Sequence, residues 1–181
     1  VGGCYEIDIV QLVVYTPGTI DLTATNVTCH GDVDGIVTIN MQGAPYPFTV
    51  EWIEGGLATV IIPDSYTWQW KNLAPGIYTA VITDGNGCRL TRSVTIIEPP
   101  VLVASVNPAA ITPVSCFGGS DGTATVSASG GTPPYQVLWS SGSTDVTATG
   151  LSAGIYSVLV MDANGCKAEV NNIVIEGPDN P

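Results

Sequence analysis

The stretch LSAGIYSVLVMDANGC, residues 151–166, decides the fold because the chain contains it twice. Residues 73–88 are LAPGIYTAVITDGNGC, and both stretches end in a cysteine that follows Asn-Gly. Each begins with Leu-x-x-Gly-Ile-Tyr, continues with apolar residues at alternate positions and ends in turn-forming residues. This is the pattern of a β-strand followed by a tight hairpin turn. A chain that repeats such a unit is predicted to fold as tandem copies of one domain.

The similarity extends on both sides of the quoted stretch. Cys29–Gly35 (CHGDVDG) corresponds to Cys116–Gly122 (CFGGSDG), and the copies end alike, in VTIIEPP at 94–100 and NIVIEGP at 172–178. Chance similarity does not keep Cys, Asp-Gly, Pro, Trp, Gly-Ile-Tyr and Asn-Gly-Cys in one order. We therefore interpret the pattern as a true internal repeat.

The repeat divides the chain into three predicted segments. Residues 18–100 are predicted to be the first full repeat and residues 101–181 the second. Residues 1–17 resemble the end of a copy, because their Cys4 aligns with Cys88. We expect them to be the C-terminal strand of a truncated upstream repeat, in a fragment of a longer array.

Each copy is predicted to be a small β-sandwich. Turn signals recur about every 8–12 residues, and no helical periodicity is present. In the second copy we predict strands at Val101–Val106, Thr123–Ser129, Tyr135–Trp139, Asp145–Thr149, Ile155–Met161 and Ala168–Ile175. The fold class is therefore all-β, with tandem immunoglobulin-like β-sandwich domains of about seven strands. Trp52 and Trp139 occupy the place of the buried core tryptophan in such a fold.

The first copy contains nine extra residues, in a Trp-rich insertion at about 53–72. One interpretation is an added hairpin of two strands, Ala58–Ile62 and Tyr66–Trp70, that covers a sheet edge. The other is a contact surface for a ligand or for assembly. In that case Tyr66, Trp68 and Trp70 make the contacts and are exposed to solvent.

Composition argues against several classes of function. The chain has 16 acidic and 4 basic residues, a formal net charge of −12, so it should repel nucleic acid and anionic membranes. No run approaches the roughly 20 apolar residues of a membrane span. The single histidine, His30, lies in a turn, and its counterpart in the second copy is Phe117. We expect no enzyme, no catalytic residues and no cofactor.

Metal binding has one weak signal. The turn GDVDG at 31–35 alternates oxygen-bearing side chains before a glycine, as calcium loops do. The second copy has Gly-Gly-Ser-Asp-Gly there and lacks one carboxylate, so a plain turn is the alternative. Zinc is not expected, because the chain has neither Cys-x-x-Cys pairs nor further histidines.

The cysteines predict disulfides, with two connectivities left open. Pairing within copies would join Cys29 to Cys88 and Cys116 to Cys166. In an immunoglobulin-like topology, however, the two cysteines of a copy lie at opposite ends, about 20 Å or more apart by strand rise. A disulfide needs Cα atoms within about 7 Å. The alternative is a ladder, in which disulfides join successive repeats of a head-to-tail array. In the ladder the exit end of one repeat meets the entry end of the next, so Cys29 reaches Cys166.

The ladder also assigns the remaining cysteines. Cys88 pairs with an upstream repeat, Cys116 with a downstream one and Cys4 further upstream still. Five cysteines are an odd number, which fits a cut array whose partners lie outside the fragment.

A self-association face is predicted on the penultimate strand of each copy. Its inward residues are apolar, yet Ile77, Val81, Ile155, Leu159 and Met161 make the opposite face apolar too. Large exposed apolar patches are unusual in monomers. We expect another chain, a neighbouring domain or a glycan to cover this face.

The string Cys-x-Gly-x-x-Asp-Gly, Gly-x-x-Pro with Trp, Leu-x-x-Gly-x-Tyr and Asp-x-Asn-Gly-Cys resembles the SprB-type repeat. That repeat occurs in giant cell-surface adhesins of gliding Bacteroidota. The resemblance implies export by the type IX route, display on the cell surface and a shaft of tandem domains. Two departures are the Trp-rich insertion and the order Pro-Tyr-Pro-Phe in the first copy, which suggest that this copy is specialised.

The sequence leaves two functions in competition. The first is a structural, non-catalytic segment of an adhesin shaft or extracellular filament, whose partners are neighbouring repeats and further copies. The second is a carbohydrate- or surface-binding module that uses the aromatic insertion, with a surface polysaccharide as its partner. Exposure of the insertion's aromatic side chains would favour the second.

Overall fold

The computed structural model describes residues 18–43, 46–62 and 66–180. In these ranges the chain forms β-strands and no helix, so no helix there is long and apolar enough to cross a membrane. The strands of the first repeat are β1 Thr19–Thr25, β2 Gly35–Gln42, β3 Phe48–Glu54, β4 Val60–Ile62, β5 Thr67–Leu73, β6 Gly76–Thr83 and β7 Arg89–Ile96. Those of the second repeat are β8 Val103–Thr112, β9 Gly122–Ser129, β10 Gln136–Trp139, β11 Thr147–Leu151, β12 Gly154–Met161 and β13 Lys167–Ile175. Residues 1–17, with the predicted upstream strand and Cys4, lie outside the described residues.

The strands of each repeat form two sheets, as the all-β prediction requires. The sheets of the first repeat have the orders β1-β2-β5 and β4-β3-β6-β7, and those of the second have the orders β11-β9-β8 and β10-β12-β13. The pairings with a described register are antiparallel. The predicted fold class, tandem immunoglobulin-like β-sandwiches, is confirmed.

Alternation of apolar residues sets which face of each strand is buried. In β2 the residues Val37, Ile39 and Met41 are fully buried while those between them are half-buried. The second repeat has one apolar core to which both of its sheets contribute. Its buried members are Val114, Ala124, Val126, Trp139, Ala148, Leu151, Val158, Val160, Ile173 and Ile175.

The two predicted core tryptophans differ. Trp139 is 1% exposed, and its indole N–H donates to the carbonyl of Asp145 at 2.9 Å, which satisfies the buried donor. Trp52 is only half-buried and so differs from the buried core tryptophan expected at this place. The regular β3–β6 pairing shifts register between Trp52 and Glu54. Trp52 therefore packs at the end of the regular pairing, edge-on to Tyr78 with ring centroids 6.2 Å apart.

The insertion does not form the predicted hairpin. β4 pairs antiparallel with β3 and forms the edge of its sheet, so one part of the insertion does cover an edge. β5 instead belongs to the other sheet, beside β2. Because β4 pairs with β3 in one sheet and β5 pairs with β2 in the other, the two strands of the insertion do not pair with each other. The connection at 63–65 lies outside the described residues.

A bulge shifts the end of the second repeat by one residue. Register between β12 and β13 changes between Tyr156 and Val158, next to Asn172, which has a φ of 59°. Beyond this point the buried Ile175 takes the place that Ile96 has in the first repeat. The sequence match of 94–100 with 172–178 is therefore one residue out of structural register.

Contacts divide the chain into two compact units. The first comprises the described residues of Val1–Thr23, Thr38–Gln69 and Ile77–Val94; the second comprises Ala24–Val37, Trp70–Gly76 and Thr95–Pro181. This division cuts across strands of the first repeat. The second unit thus contains the whole second repeat and also the loop with Cys29. The repeat boundary at residue 100 stays a prediction.

Candidate functional site

A disulfide joins Cys29 to Cys166, with their Cα atoms 5.7 Å apart and a sequence separation of 137. Both residues belong to the second compact unit. The bond links a loop of the first repeat to the last hairpin turn of the second, which is the pairing of the ladder. Cys29 is therefore not joined to Cys88, as pairing within copies would require. Cys88 and Cys116 are unpaired and exposed within the described ranges.

The turn that supplies Cys166 is organised by a buried carboxylate, Asp162. Its Oδ1 accepts the backbone N–H groups of Asn164 and Cys166, each at 2.9 Å. Its Oδ2 accepts the N–H of Thr132 at 2.8 Å. Burial raises the pKa of Asp162, but these hydrogen bonds to the ionised form outweigh burial and leave the pKa below its ordinary value. The carboxylate thus fixes the turn in the shape that presents Cys166 to the disulfide.

The loop that supplies Cys29 is closed by two carboxylates. Asp34 accepts the backbone N–H of Thr28 at 2.9 Å and also the hydroxyl of Thr28. These hydrogen bonds hold the pKa of Asp34 below its ordinary value. Asp32 accepts the N–H of Cys29 at 3.1 Å. The carboxylates of the GDVDG turn therefore serve the loop itself.

Side-chain contacts accompany the disulfide. The amide of Asn164 donates to the carbonyl of Thr28 at 3.1 Å and to the hydroxyl of Thr132 at 3.2 Å. The turn residue before the cysteine thus holds the opposite loop directly. Sequence analysis missed this role, although the Asp-x-Asn-Gly-Cys motif occurs in both copies and was the available signal.

The segment that connects the repeats is also anchored. The carboxylate of Glu98 lies 3.3 Å from His30 Nδ1 and accepts the N–H of Gly31 at 2.9 Å. The carbonyl of Pro100 accepts the N–H of Gly131 at 2.8 Å. The lone histidine is thus a structural contact of the connection.

The aromatic residues of the insertion occupy alternate positions, Tyr66 just before β5 and Trp68 and Trp70 within it, and so share one side of the extended chain. The hydroxyl of Thr67 and the amide of Gln69, on the other side, bond to polar residues of β2 at 3.0 and 3.2 Å. Tyr66 is 60% exposed and Trp68 is 38% exposed, while Trp70 is half-buried. The exposure required for a contact surface is therefore present at two of the three positions.

The predicted self-association face is partly covered within the chain. Ile77 and Ile155 are exposed, the latter at 71%. The other three residues of that face, Val81, Leu159 and Met161, are half-buried. Leu159 pairs across its strand with Leu138 on one side and with Glu169 on the other, which explains the cover. Contact of this face with another chain, a domain or a glycan stays a prediction.

The described residues contain no group of three or more His, Cys, Asp or Glu side chains that could hold a metal ion. The carboxylates closest to a calcium pattern are those already bonded to backbone N–H groups in the Cys29 loop. What the described residues assemble best is a junction made of a disulfide, two carboxylate-closed turns and an anchored connection.

Comparison with known proteins found a matching family model. Residues 109–144 match the family model of the SprB repeat. This segment is similar to the SprB repeat. It spans the end of β8 to the loop after β10 and includes Cys116, so the resemblance stated for the sequence is confirmed there. No curated protein sequence matches the chain.

Solved structures similar to the chain have low sequence identity. They include a C-terminal 282-residue fragment of intimin in complex with the intimin-binding domain of its translocated receptor, with 14% identity and a TM-score of 0.42. The similarity covers 91% of this chain and 64% of that fragment, which is less than two thirds of its length. Modules IG1 and IG2 of DIP-gamma have 13% identity and a TM-score of 0.45, with coverage of 91% and 100%. Fibronectin(III)-like modules of CbhA from Clostridium thermocellum have 12% identity and a TM-score of 0.33, with coverage of 88% and 95%.

Proposed function

We propose that this chain is a structural, non-catalytic segment of the shaft of an extracellular adhesin or surface filament. The observation that carries the proposal is the Cys29–Cys166 disulfide, which adds a second covalent connection between successive repeats. A peptide linker alone lets two domains swing and separate under load. A disulfide beside the linker restricts both movements, as a shaft under tension requires.

The location follows from the same bond. Disulfides persist in oxidising compartments, and an SprB repeat belongs to a family of cell-surface proteins. We therefore place the segment outside the cell, exported by the type IX route that the resemblance implies. Its partners are neighbouring repeats of the same protein, and it needs no cofactor and no metal for this role.

Stretching of single molecules tests the proposal. With force applied at the two termini, the intact disulfide keeps the segment between Cys29 and Cys166, a sequence separation of 137, out of the extended length. Reduction should lengthen the fully extended chain by roughly 470 Å, at about 3.3–3.6 Å per residue. The Cys29→Ser variant should reach the longer length without reductant. The matched control, Cys116→Ser, should behave like the unmodified chain.

Equal extended lengths with and without reductant would contradict the proposal. A long extension of the unmodified chain without reductant would mean that the Cys29–Cys166 disulfide is not present in the protein. The shaft would then have no covalent reinforcement at this junction.

A second candidate function rests on the exposed rings of Tyr66 and Trp68. Exposed aromatic faces offer flat apolar surfaces that stack on sugar rings, so we propose a surface polysaccharide as their ligand. Quenching of tryptophan fluorescence by soluble polysaccharides should be lost in Trp68→Ala. It should persist in Phe117→Ala, an exposed aromatic residue of the second repeat. No saturable quenching with any of a panel of neutral and acidic polysaccharides would remove this candidate.

A further inference from the structure

The turn that ends in the unpaired Cys88 has the hydrogen bonds of the turn that supplies Cys166. Asp84 Oδ1 accepts the N–H groups of Asn86 and Cys88, each at 2.9 Å, as Asp162 does for the equivalent residues of its own turn. In both turns the aspartate N–H also donates to the cysteine carbonyl at 3.0 Å. The chain thus contains a second turn of the kind that supplies Cys166 to the junction, and the thiol of its Cys88 is exposed.

The loop of the unpaired Cys116 likewise resembles the loop that supplies Cys29. Asp121 Oδ1 accepts the N–H of Ser115 at 3.0 Å, as Asp34 does for the residue before Cys29 at 2.9 Å. Hydrogen bonds from Ser115 hold the pKa of Asp121 below its ordinary value, so this loop is closed by an ionised carboxylate as well. The thiol of Cys116 is exposed.

Equivalent residues line a cavity beside each of the two loops. At the closed junction, Val27 and Pro99 line a cavity of about 270 Å³ whose other side is formed in part by Asn164 of the arriving turn. Beside Cys116, Val114 and Pro178 line a second cavity, also of about 270 Å³. Among the described residues, no Asp-x-Asn-Gly-Cys turn lines this second cavity.

We infer that Cys116 and its cavity form a socket for an Asp-x-Asn-Gly-Cys turn, and that a second copy of this chain can supply that turn with residues 84–88. The occupant is identified by the closed junction, where a turn with the same hydrogen bonds lies in the equivalent place. The chain carries both a socket and a turn, so copies join head to tail through a disulfide between Cys116 and Cys88. The inference rests on the proposed shaft function and names a second copy of the chain as the partner of the unpaired Cys88 and Cys116.

Closure of the socket is an oxidation of two thiols to one disulfide. A disulfide oxidant such as oxidised glutathione accepts the two electrons and the two protons and leaves as two glutathione thiols. The thiolate of one cysteine attacks the mixed disulfide of the other, so the S–S bond forms as glutathione departs. Proximity in the socket should make this pairing faster than random pairing of exposed thiols.

Complementary single-thiol variants test the socket. In a Cys4→Ser background, Cys88→Ser leaves the socket thiol and Cys116→Ser leaves the turn thiol. Mixed in equal amounts with a glutathione redox buffer, the two should form a Cys116–Cys88 heterodimer. We expect it to form about tenfold faster than either homodimer, as measured by non-reducing electrophoresis and mass spectrometry of linked peptides.

The side-chain amide of the turn provides a second readout. At the closed junction the amide of Asn164 donates to the carbonyl of Thr28 at 3.1 Å, so Asn86 should donate to the carbonyl of Ser115. Asn86→Asp in the turn-thiol variant should slow heterodimer formation several-fold, because a carboxylate would face a carbonyl oxygen. Asn171→Asp, the same change at an exposed position of β13, should not.

A statistical mixture of one part, two parts and one part of the three dimers would overturn the inference, because it shows random thiol oxidation. Equal effects of Asn86→Asp and Asn171→Asp would overturn it as well. Neither result would alter the extension measured for the Cys29–Cys166 disulfide within one chain. Failure of the socket and failure of the proposed shaft are therefore distinguishable.

Discussion

At the scale of single residues, Asp162 combines burial with an ionised carboxylate. Three backbone N–H groups point at its oxygens, at 2.8 to 2.9 Å, and the pKa is lower in the folded chain than in a peptide. An unfolded chain therefore binds a proton to this group more readily than the folded chain does. The contribution of Asp162 to stability is complete above the unfolded pKa of about 3.9 and is lost as pH falls through the lower folded pKa.

We expect Asp162→Asn to reduce the acid sensitivity of the fold. The variant should have a lower melting temperature at pH 7, because an amide places N–H donors where an oxygen accepts. Between about pH 5 and pH 2 its melting temperature should then fall less than that of the unmodified chain. Asp145→Asn, at an exposed carboxylate, is the control and should follow the unmodified chain. If the melting temperatures of all three proteins fell equally with pH, protonation of Asp162 would not be coupled to folding.

At the scale of strands, β4 exists in the first repeat alone and completes the edge beside β3. Its Ile62 is 0% exposed and pairs with Phe48, whereas the adjacent Ile61 is 65% exposed. The side chains of one short strand thus have opposite environments. The strand therefore offers two adjacent isoleucines, one buried and one exposed, at which the contribution of the insertion to stability can be measured.

Ile62→Ala should destabilise the first repeat by about 2–5 kcal/mol, because it leaves a cavity in the core. Ile61→Ala should change stability by less than about 0.5 kcal/mol, as exposed substitutions do. Urea unfolding curves of the two variants give both values. Equal effects would show that β4 packs against the sheet without entering the core.

The strands also show what the sequence can and cannot predict. All six strands predicted for the second repeat are present, because period-two alternation reports directly on burial. The path of the insertion was predicted wrongly, since adjacent strands with similar apolar patterns do not reveal which sheet each will join. The bulge at Asn172 has no sequence signal either, because a positive φ at asparagine depends on neighbouring strands. Among the site residues, the cysteines were found from spacing, whereas the amide contact of Asn164 needed coordinates.

At the scale of the molecule, the disulfide of 137 positions' separation constrains the unfolded chain strongly. In the chain-entropy treatment a loop of this size contributes about 5 kcal/mol relative to the open chain. Reduction should therefore lower the thermal stability of the region around the junction. The effect should be absent in Cys29→Ser, which can be measured by scanning calorimetry with and without reductant. An equal response of both proteins to reductant would assign the stability to noncovalent contacts.

The same bond changes what a protease can accomplish. A peptide bond hydrolysed anywhere between Cys29 and Cys166 leaves two polypeptides that are still tied to each other by sulfur. Digestion of surface loops should thus yield a single species on a non-reducing gel and separate fragments after reduction. If every junction of the parent array is built in this way, one cut would not detach what lies beyond it. An exposed appendage among secreted proteases would keep its length through isolated damage and lose it only where both covalent connections fail.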